Sequence, residues 1–248
     1  MHVTFLGTGS AMPTGERYQT GILVEDDDRS ILVDCGAGIL QRLARTETGY
    51  EDLPAVLLSH HHIDHVADLV PLLKARWLAG ADPLTVAGPP GTADLLAGLL
   101  SVHDYLAEKV AYTVEEVTAG DGEVAGFEIT AMETRHSMPC LAYRFGGAGG
   151  PFAFSGDSEA FDDLAAFADG CEAFAHDCSF PDSVDVSNHP TPTQLGEALA
   201  SADPSIGTVY LTHLYPHTDG AHQDMVASIR SQYDGDVRFA SDGLTIHV

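Results

Sequence analysis

Residues 59–65 read Ser-His-His-His-Ile-Asp-His, and four of them fit the pattern H-x-H-x-D-H in one register: His60, His62, Asp64 and His65. His61 cannot open the same pattern, because Ile63 would then stand in the second histidine position. Imidazole nitrogens and a carboxylate in one loop make a donor set suited to a divalent cation such as zinc. His60 and His62 can point together while Asp64 and His65 point elsewhere, so a single loop can serve two adjacent metals. The competing reading is a histidine-rich solvated loop.

Further donors follow other short apolar runs. His136 follows Ile129–Glu133, Asp157 follows Phe152–Phe154, and His213 follows Val209–Thr212. Taken singly, each is more often an ordinary loop residue. Strand ends converge on one edge of a sheet sandwich, however, and together these residues suffice for two metals. The expected arrangement puts His60, His62 and His136 on one ion, and Asp64, His65 and His213 on the other, with Asp157 bridging.

The elements that must position these donors are short and punctuated by glycine and proline. Strands are expected at His2–Leu6, at Gly21–Glu25 and Ser30–Asp34 as a hairpin, at Ala55–Ser59 and at Leu84–Ala87. More follow around Val110–Glu116, Glu128–Glu133, Cys140–Phe145 and Pro151–Phe154, with Gly146–Gly150 as a hairpin loop. The later strands are Ala173–Asp177, Val209–Thr212 and the edge strands Val237–Phe239 and Leu244–Val248. Apolar spacing predicts helices over Ile39–Thr46, Val66–Ala79, Thr92–Leu106, Phe161–Ala168, Thr193–Ala202 and Gln223–Tyr233, with Thr193 as an N-cap. Two strand groups with interspersed helices predict an α/β architecture of two facing sheets with helices on both outer faces.

At 248 residues the chain can bury one sizeable core, so a single domain spanning 1–248 is expected. Thirty-seven acidic residues face 11 basic ones, for a net charge of −26. The acids are dispersed and lysine is almost absent, as in proteins adapted to high salt, where counterions relieve self-repulsion. This charge argues against stable binding to duplex nucleic acid, which needs clustered lysine and arginine. Cys35, Cys140, Cys171 and Cys178 form no C-x-x-C pair. No apolar run approaches the roughly 20 residues needed to span a bilayer, and no signal peptide is read at the start. A soluble cytoplasmic protein with reduced thiols and no membrane association is expected.

The order of motifs is similar to that of the metallo-β-lactamase superfamily, and most closely to its ribonuclease Z-like, phosphodiesterase-type branch. The residues that carry this are Phe5–Ser10 with Pro13-Thr14, Leu32–Gly36, the histidine motif with Ala67-Asp68-Leu69, Ser155-Gly156-Asp157, Leu211-Thr212-His213 and Ser241-Asp242-Gly243. They run through essentially the whole chain. The resemblance implies a four-layer αββα sandwich and a dinuclear site, usually zinc, with manganese as the alternative. It also implies a homodimer. His176-Asp177-Cys178-Ser179 resembles the branch's His-Glu-Ala-Thr segment, with Asp177 in place of the glutamate, and His189-Pro190-Thr191 resembles its His-x-Thr motif. Carried over, His189 protonates the leaving oxygen and Asp177 orients it. The catalytic residues implied are thus Asp64, Asp177 and His189. Asp34 is expected to hold a ligand imidazole, and Gly7 and Gly9 to let the backbone pass beneath the metals.

Departures from the branch narrow the function. Only 20 residues separate His136 from Asp157, too few for a long tRNA-clamping arm. The Pro-x-Lys-x-Arg-Asn loop is absent, and Leu214-Tyr215-Pro216-His217 replaces the usual arginine-bearing sequence. Two divalent metals lower the pKa of a water enough to generate a nucleophile at neutral pH. The expected activity is therefore a metal-dependent phosphodiesterase on small or cyclic phosphodiesters, or on short oligonucleotide ends, with a small phosphodiester or short RNA as its partner. The alternatives are a ribonuclease Z-like RNA-processing nuclease, a thioesterase or lactonase on the same fold, and a non-catalytic metal-binding protein.

Overall fold

The computed structural model describes residues 1–147 and 149–248. The first half of the chain forms β1 (His2–Gly7), β2 (Gly21–Asp26), β3 (Arg29–Val33), β4 (Ala55–Leu57), β5 (Leu84–Gly88) and β6 (Tyr112–Glu116). Next come β7 (Gly120–Val124), β8 (Phe127–Glu133), β9 (Leu141–Phe145) and β10 (Phe152–Phe154). The last strands are β11 (Ala173–Asp177), β12 (Thr208–Thr212), β13 (Val237–Phe239) and β14 (Thr245–His247). Helices α1 (Ile39–Leu43), α2 (Ile63–Val66), α3 (Leu69–Ala79), α4 (Thr92–Ser101) and α5 (Asp104–Ala107) lie among the early strands. Helices α6 (Asp162–Phe167), α7 (Pro192–Ala202) and α8 (His222–Arg230) lie among the late ones.

Among the described residues these strands build two seven-stranded sheets, ordered β14-β1-β2-β3-β4-β5-β6 and β13-β12-β11-β10-β9-β8-β7. Each sheet is antiparallel in one part and parallel in the other: β3 to β6 and β10 to β13 run parallel. Parallel neighbours need crossovers, and the helices supply them. Alternate strand residues face opposite ways. Phe5, Ile22, Val33 and Leu57 of the first sheet therefore pack against Phe127, Tyr143, Phe154 and Tyr210 of the second. The other face of the first sheet, with Leu23, Leu32 and Val56, buries Leu69, Leu73 and Leu96 of the helices. The other face of the second sheet presents Val209 and Leu211, which meet Leu195, Leu199 and Ile229. The result is the expected αββα sandwich.

Several local expectations are corrected. The helix expected over Val66–Ala79 is broken at Ala67-Asp68, because the Asp68 carboxylate accepts hydrogen bonds from the Gly38 and Leu40 amides and fixes the start of α1. The helix expected over Thr92–Leu106 divides into α4 and α5 around Val102-His103. The cap of α7 is Thr191, not Thr193: Thr191 and Gln194 form a reciprocal capping box, and Pro192 occupies the first helical position. Strand β7 was not expected, since its Gly-Asp-Gly-Glu sequence lacks strand formers, and it lies exposed at a sheet edge. Gly7 and Gly9 do admit close backbone approach, but to the loop at residues 17–20: a Cβ on either would strike the Gln19 or Tyr18 carbonyl oxygen. The expected loop Gly146–Gly150 does connect antiparallel β9 and β10, although residue 148 lies outside the described residues.

Candidate metal centre

The carboxyl ends of β3, β4, β8, β10, β11 and β12 lead into the loops that bear the predicted donors. Two contacts draw the sheets together at this edge. The Leu214 amide donates to the Thr8 carbonyl at 2.9 Å, and the Leu141 amide to the Ser59 carbonyl at 3.0 Å. After β4 the chain bends at Ser59, is extended at His62 and then turns into α2, which carries Asp64 and His65. The change from extended to helical backbone inside the motif sends its two halves to different places.

All seven predicted donors come together. His62 Nδ1 lies 3.0 Å from His60 Nε2 and 3.0 Å from His136 Nε2. His213 Nε2 lies 3.1 Å from Asp64 Oδ2 and 3.3 Å from His65 Nε2. Asp157 touches both groups: its Oδ2 is 3.6 Å from His60 Nε2 and 3.3 Å from His213 Nε2, and its Oδ1 is 3.4 Å from His65 Nε2. Within each group the donor atoms lie within 4.8 Å of one another. His60, His65, Asp64, Asp157 and His213 are buried.

The protons explain why these atoms fit a cation. His65 Nδ1 donates to Asp34 Oδ2 at 2.7 Å, and His136 Nδ1 to the Asn188 carbonyl at 3.1 Å. Ser59 Oγ donates to Asp34 Oδ2 at 2.7 Å and so accepts from His60 Nδ1 at 3.0 Å. Ser179 Oγ donates to Asp177 Oδ1 at 2.5 Å and accepts from His213 Nδ1 at 2.9 Å. With its Nδ1 proton so engaged, each of these imidazoles turns Nε2 inward, the nitrogen left to bind a cation once the ring is neutral. Lone pairs facing one another at about 3 Å cannot satisfy each other, whereas a divalent ion between them satisfies all of them.

Electrostatics point the same way. Burial holds the His60 pKa well below its ordinary value, and repulsion from His65 lowers it further, so the ring is neutral. Burial pushes the Asp157 carboxyl up, but His213, His65 and His60 outweigh it and leave the group ionised. Asp64 is likewise held below the carboxylate range: burial opposes, and the His213 hydrogen bond and the His65 charge prevail. Burial also disfavours charge on His65, yet Asp157 and Asp34 raise its pKa well above normal. Binding a metal there must displace a proton.

His189 and Asp177 stand beside this cluster. Asp177, at the end of β11, reaches His189 Nδ1 with Oδ2 at 2.6 Å, so the shorter acid makes the contact. The His189 ring stacks on His213 at 5.3 Å and meets His136 edge-on at 5.3 Å. Burial alone would lower the His189 pKa; the Asp177 charge and hydrogen bond overcome it and raise the value to about 9.

Two neighbouring histidines lie apart from the cluster. His61 turns away to Thr92 Oγ1 at 2.9 Å, and buried His176 bonds the Asp177 carbonyl. Ser59 and Ser179 were missed by sequence reasoning. Each lies next to or near a predicted acid or ligand in the chain, and a hydroxyl in that position was the available signal. The backbone also escaped notice: Asp34, Asn188 and His213 all adopt left-handed conformations, with φ of 60°, 67° and 58°. Strain of this kind gathers where surrounding structure must aim a functional group.

The sandwich and its edge cluster define the class, and the comparisons agree. The profile of the Beta-lactamase superfamily domain matches residues 29–214. The chain belongs to the metallo-β-lactamase superfamily, among its ribonuclease Z-like members. Ribonuclease Z of Mycolicibacterium gilvum is 30% identical over 273 residues, covering 98% of this chain and 94% of that protein. The metallo-beta-lactamase fold protein YhfI from Bacillus subtilis superposes with a TM-score of 0.83 at 26% identity, covering 99% of both chains. The short form of human tRNase Z shares the fold, with a TM-score of 0.78 at 21% identity over 100% of this chain and 99% of that one. No helix among the described residues is long and apolar enough to cross a membrane.

Proposed function

We propose that this chain is a hydrolase of phosphodiesters that works with two divalent ions, zinc or manganese, on small or cyclic phosphodiesters or short oligonucleotide ends. The observation that carries the reading is the Asp177–His189 pair, in contact at 2.6 Å beside a cluster of seven metal donors. His60, His62 and His136 would hold one ion, Asp64, His65 and His213 the other, and Asp157 both. When bound, the two ions supply Lewis-acid stabilisation of the phosphoryl group and an activated water.

The chain's own residues do the rest. Asp34 and Ser59 keep the proton on Nδ1 of His65 and His60, which fixes the direction of both rings. Asp177 keeps a proton on Nδ1 of His189 and stabilises the imidazolium. Nε2 is then the nitrogen that gives its proton to the departing alkoxide oxygen. With a pKa raised to about 9 by Asp177, His189 carries the proton that a general acid must give at neutral pH, and bound cations would lower that value.

A proton donor of this kind serves a poor alkoxide leaving group, which disfavours hydrolysis of a thioester, whose thiolate departs without help, and a purely structural metal site. The second reading, a ribonuclease Z-like RNA-processing nuclease, is favoured by the names of the curated relatives. Against it stand the net charge of −26 and the short span between His136 and Asp157, which holds β9, β10 and their connecting loop. Turnover of bis(p-nitrophenyl) phosphate, a labelled RNA and a thioester by one metal-loaded preparation, at low and high salt, separates these readings. Thioester turnover without diester turnover would refute the proposal.

A further inference from the structure

The loops that follow β11 and β12 meet beside His189 in a cluster of rings. Phe180 and Tyr215 stack at 4.5 Å with an interplanar angle of 26°. Tyr215 also meets His213 at 5.7 Å and His189 at 6.0 Å, steeply inclined to both. His217 completes the group, 5.3 Å from Phe180 and 6.4 Å from Tyr215. Phe180 is buried, Tyr215 half-buried and His217 exposed. Aromatic surface thus runs without interruption from two imidazoles of the centre out to solvent. The exposed ring of His217 and the part-exposed ring of Tyr215, at the mouth of the centre, are suited to stacking a planar group.

The other flank of His189 has opposite chemistry. A cavity of about 440 Å³ opens between α6 and α7, with His189 in its wall. Glu159, Asp162 and Glu197 line it, and among the described residues its wall contains no lysine or arginine. A second phosphate entering here would meet these three carboxylates, against the single guanidinium of Arg135 that packs on the Phe161 ring at 4.1 Å.

We propose that the group attached to the leaving oxygen carries a planar aromatic ring of the nucleobase kind, which stacks on Tyr215 and His217, and carries no second phosphate. This rests on the phosphodiesterase reading and narrows it: the leaving group is a single nucleoside. As a water oxygen bonds to phosphorus and gives up a proton, the P–O bond to the nucleoside breaks, His189 protonates the departing nucleoside oxygen, and the phosphate remains as a monoester on the other product. The ring cluster positions the nucleoside so that this oxygen lies near His189. Stacking favours any base, because every base offers a π face, so selectivity among bases is weak.

The test is equilibrium binding to the zinc-loaded protein by calorimetry, using adenosine 5′-monophosphate, glycerol 3-phosphate and adenosine 3′,5′-bisphosphate. The nucleotide should bind about 10- to 100-fold tighter than glycerol phosphate, the usual increment for one stacked base. Tyr215→Ala combined with His217→Ala should shrink that ratio to within about threefold, and Tyr215→Phe should preserve it. The bisphosphate should bind more weakly than the monophosphate. Equal affinities for nucleotide and glycerol phosphate, or a preference that survives the double substitution, would overturn the stacking role. A bisphosphate that binds more tightly would overturn the exclusion of a second phosphate. A parallel assay compares adenosine 2′,3′-cyclic phosphate with glycerol 1,2-cyclic phosphate, whose strained rings are alike. Hydrolysis of neither cyclic ester nor of bis(p-nitrophenyl) phosphate, alongside an intact nucleotide preference, would refute the phosphodiesterase reading and leave the ring-binding surface standing.

Discussion

Asp177 and His213 are joined through one hydroxyl. Ser179 Oγ donates to Asp177 Oδ1 at 2.5 Å and accepts from His213 Nδ1 at 2.9 Å, while Asp177 Oδ2 holds His189 at 2.6 Å. One buried carboxylate thereby aims both the proposed proton donor and a proposed metal ligand. Asp34 repeats the device, holding His65 directly and His60 through Ser59.

Ser179→Ala removes the partner that fixes the His213 tautomer. Loss of such an outer-shell contact typically weakens metal affinity by about 10- to 100-fold. The wild-type protein should hold two ions per chain. The variant should release the ion at Asp64, His65 and His213 more readily to a chelator, and keep the ion at His60, His62 and His136. Chelator competition followed by elemental analysis checks this. Two ions retained with unchanged affinity would remove Ser179 from the metal argument, and a wild-type protein that never exceeds one ion would remove the dinuclear one.

His189→Ala should slow substrates with basic alkoxide leaving groups by about 10²–10⁴-fold. Esters of p-nitrophenol should suffer much less, because that group departs without a proton. Metal content should stay the same. Asp177→Asn should act in the same direction but more weakly. Equal losses for both kinds of leaving group would show that His189 does not act as the acid.

The His189 pKa gives the metal-free protein a pH dependence. Its folded value, about 9, lies above the unfolded value. The Asp177–His189 pair therefore contributes its full stability below about pH 6.5 and loses it as the pH rises through the folded value, at most about 3 kcal/mol in all. Melting temperatures of the chelator-treated protein should fall between about pH 6.5 and about pH 9.5, and His189→Gln should flatten that decline. A variant with the same slope as the wild type would place the titration elsewhere.

The net charge of −26 makes the folded state self-repelling in dilute salt. Potassium chloride screens that repulsion over distances that shrink to about 3 Å at molar ionic strength. We expect the melting temperature to climb between low salt and molar salt. A flat or falling curve would count against adaptation to high salt.

That His60 and His62 would point one way and Asp64 and His65 another was legible from residues 60–65, because side-chain identity and spacing carry that much. The sandwich was legible for a similar reason: alternation in the strands and helical spacing between them reflect which faces must be buried. Strand β7 was not, because an exposed edge strand needs no apolar pattern and takes its conformation from pairing with β8.

What only the tertiary structure decided is who completes the site. His213 and Asp64 are 149 positions apart and meet because the two sheets pack face to face and share one edge of loops. The roles of Ser59, Ser179 and the Asn188 carbonyl, and the ring cluster around Tyr215, arise in the same way. A hydroxyl or a carbonyl has no fixed function until folding brings a particular partner within about 3 Å of it. The left-handed backbone at Asp34 and His213 lies at buried positions, and nothing in the residue types alone told them apart from Asp27 or Asp203, which take the same conformation at exposed positions.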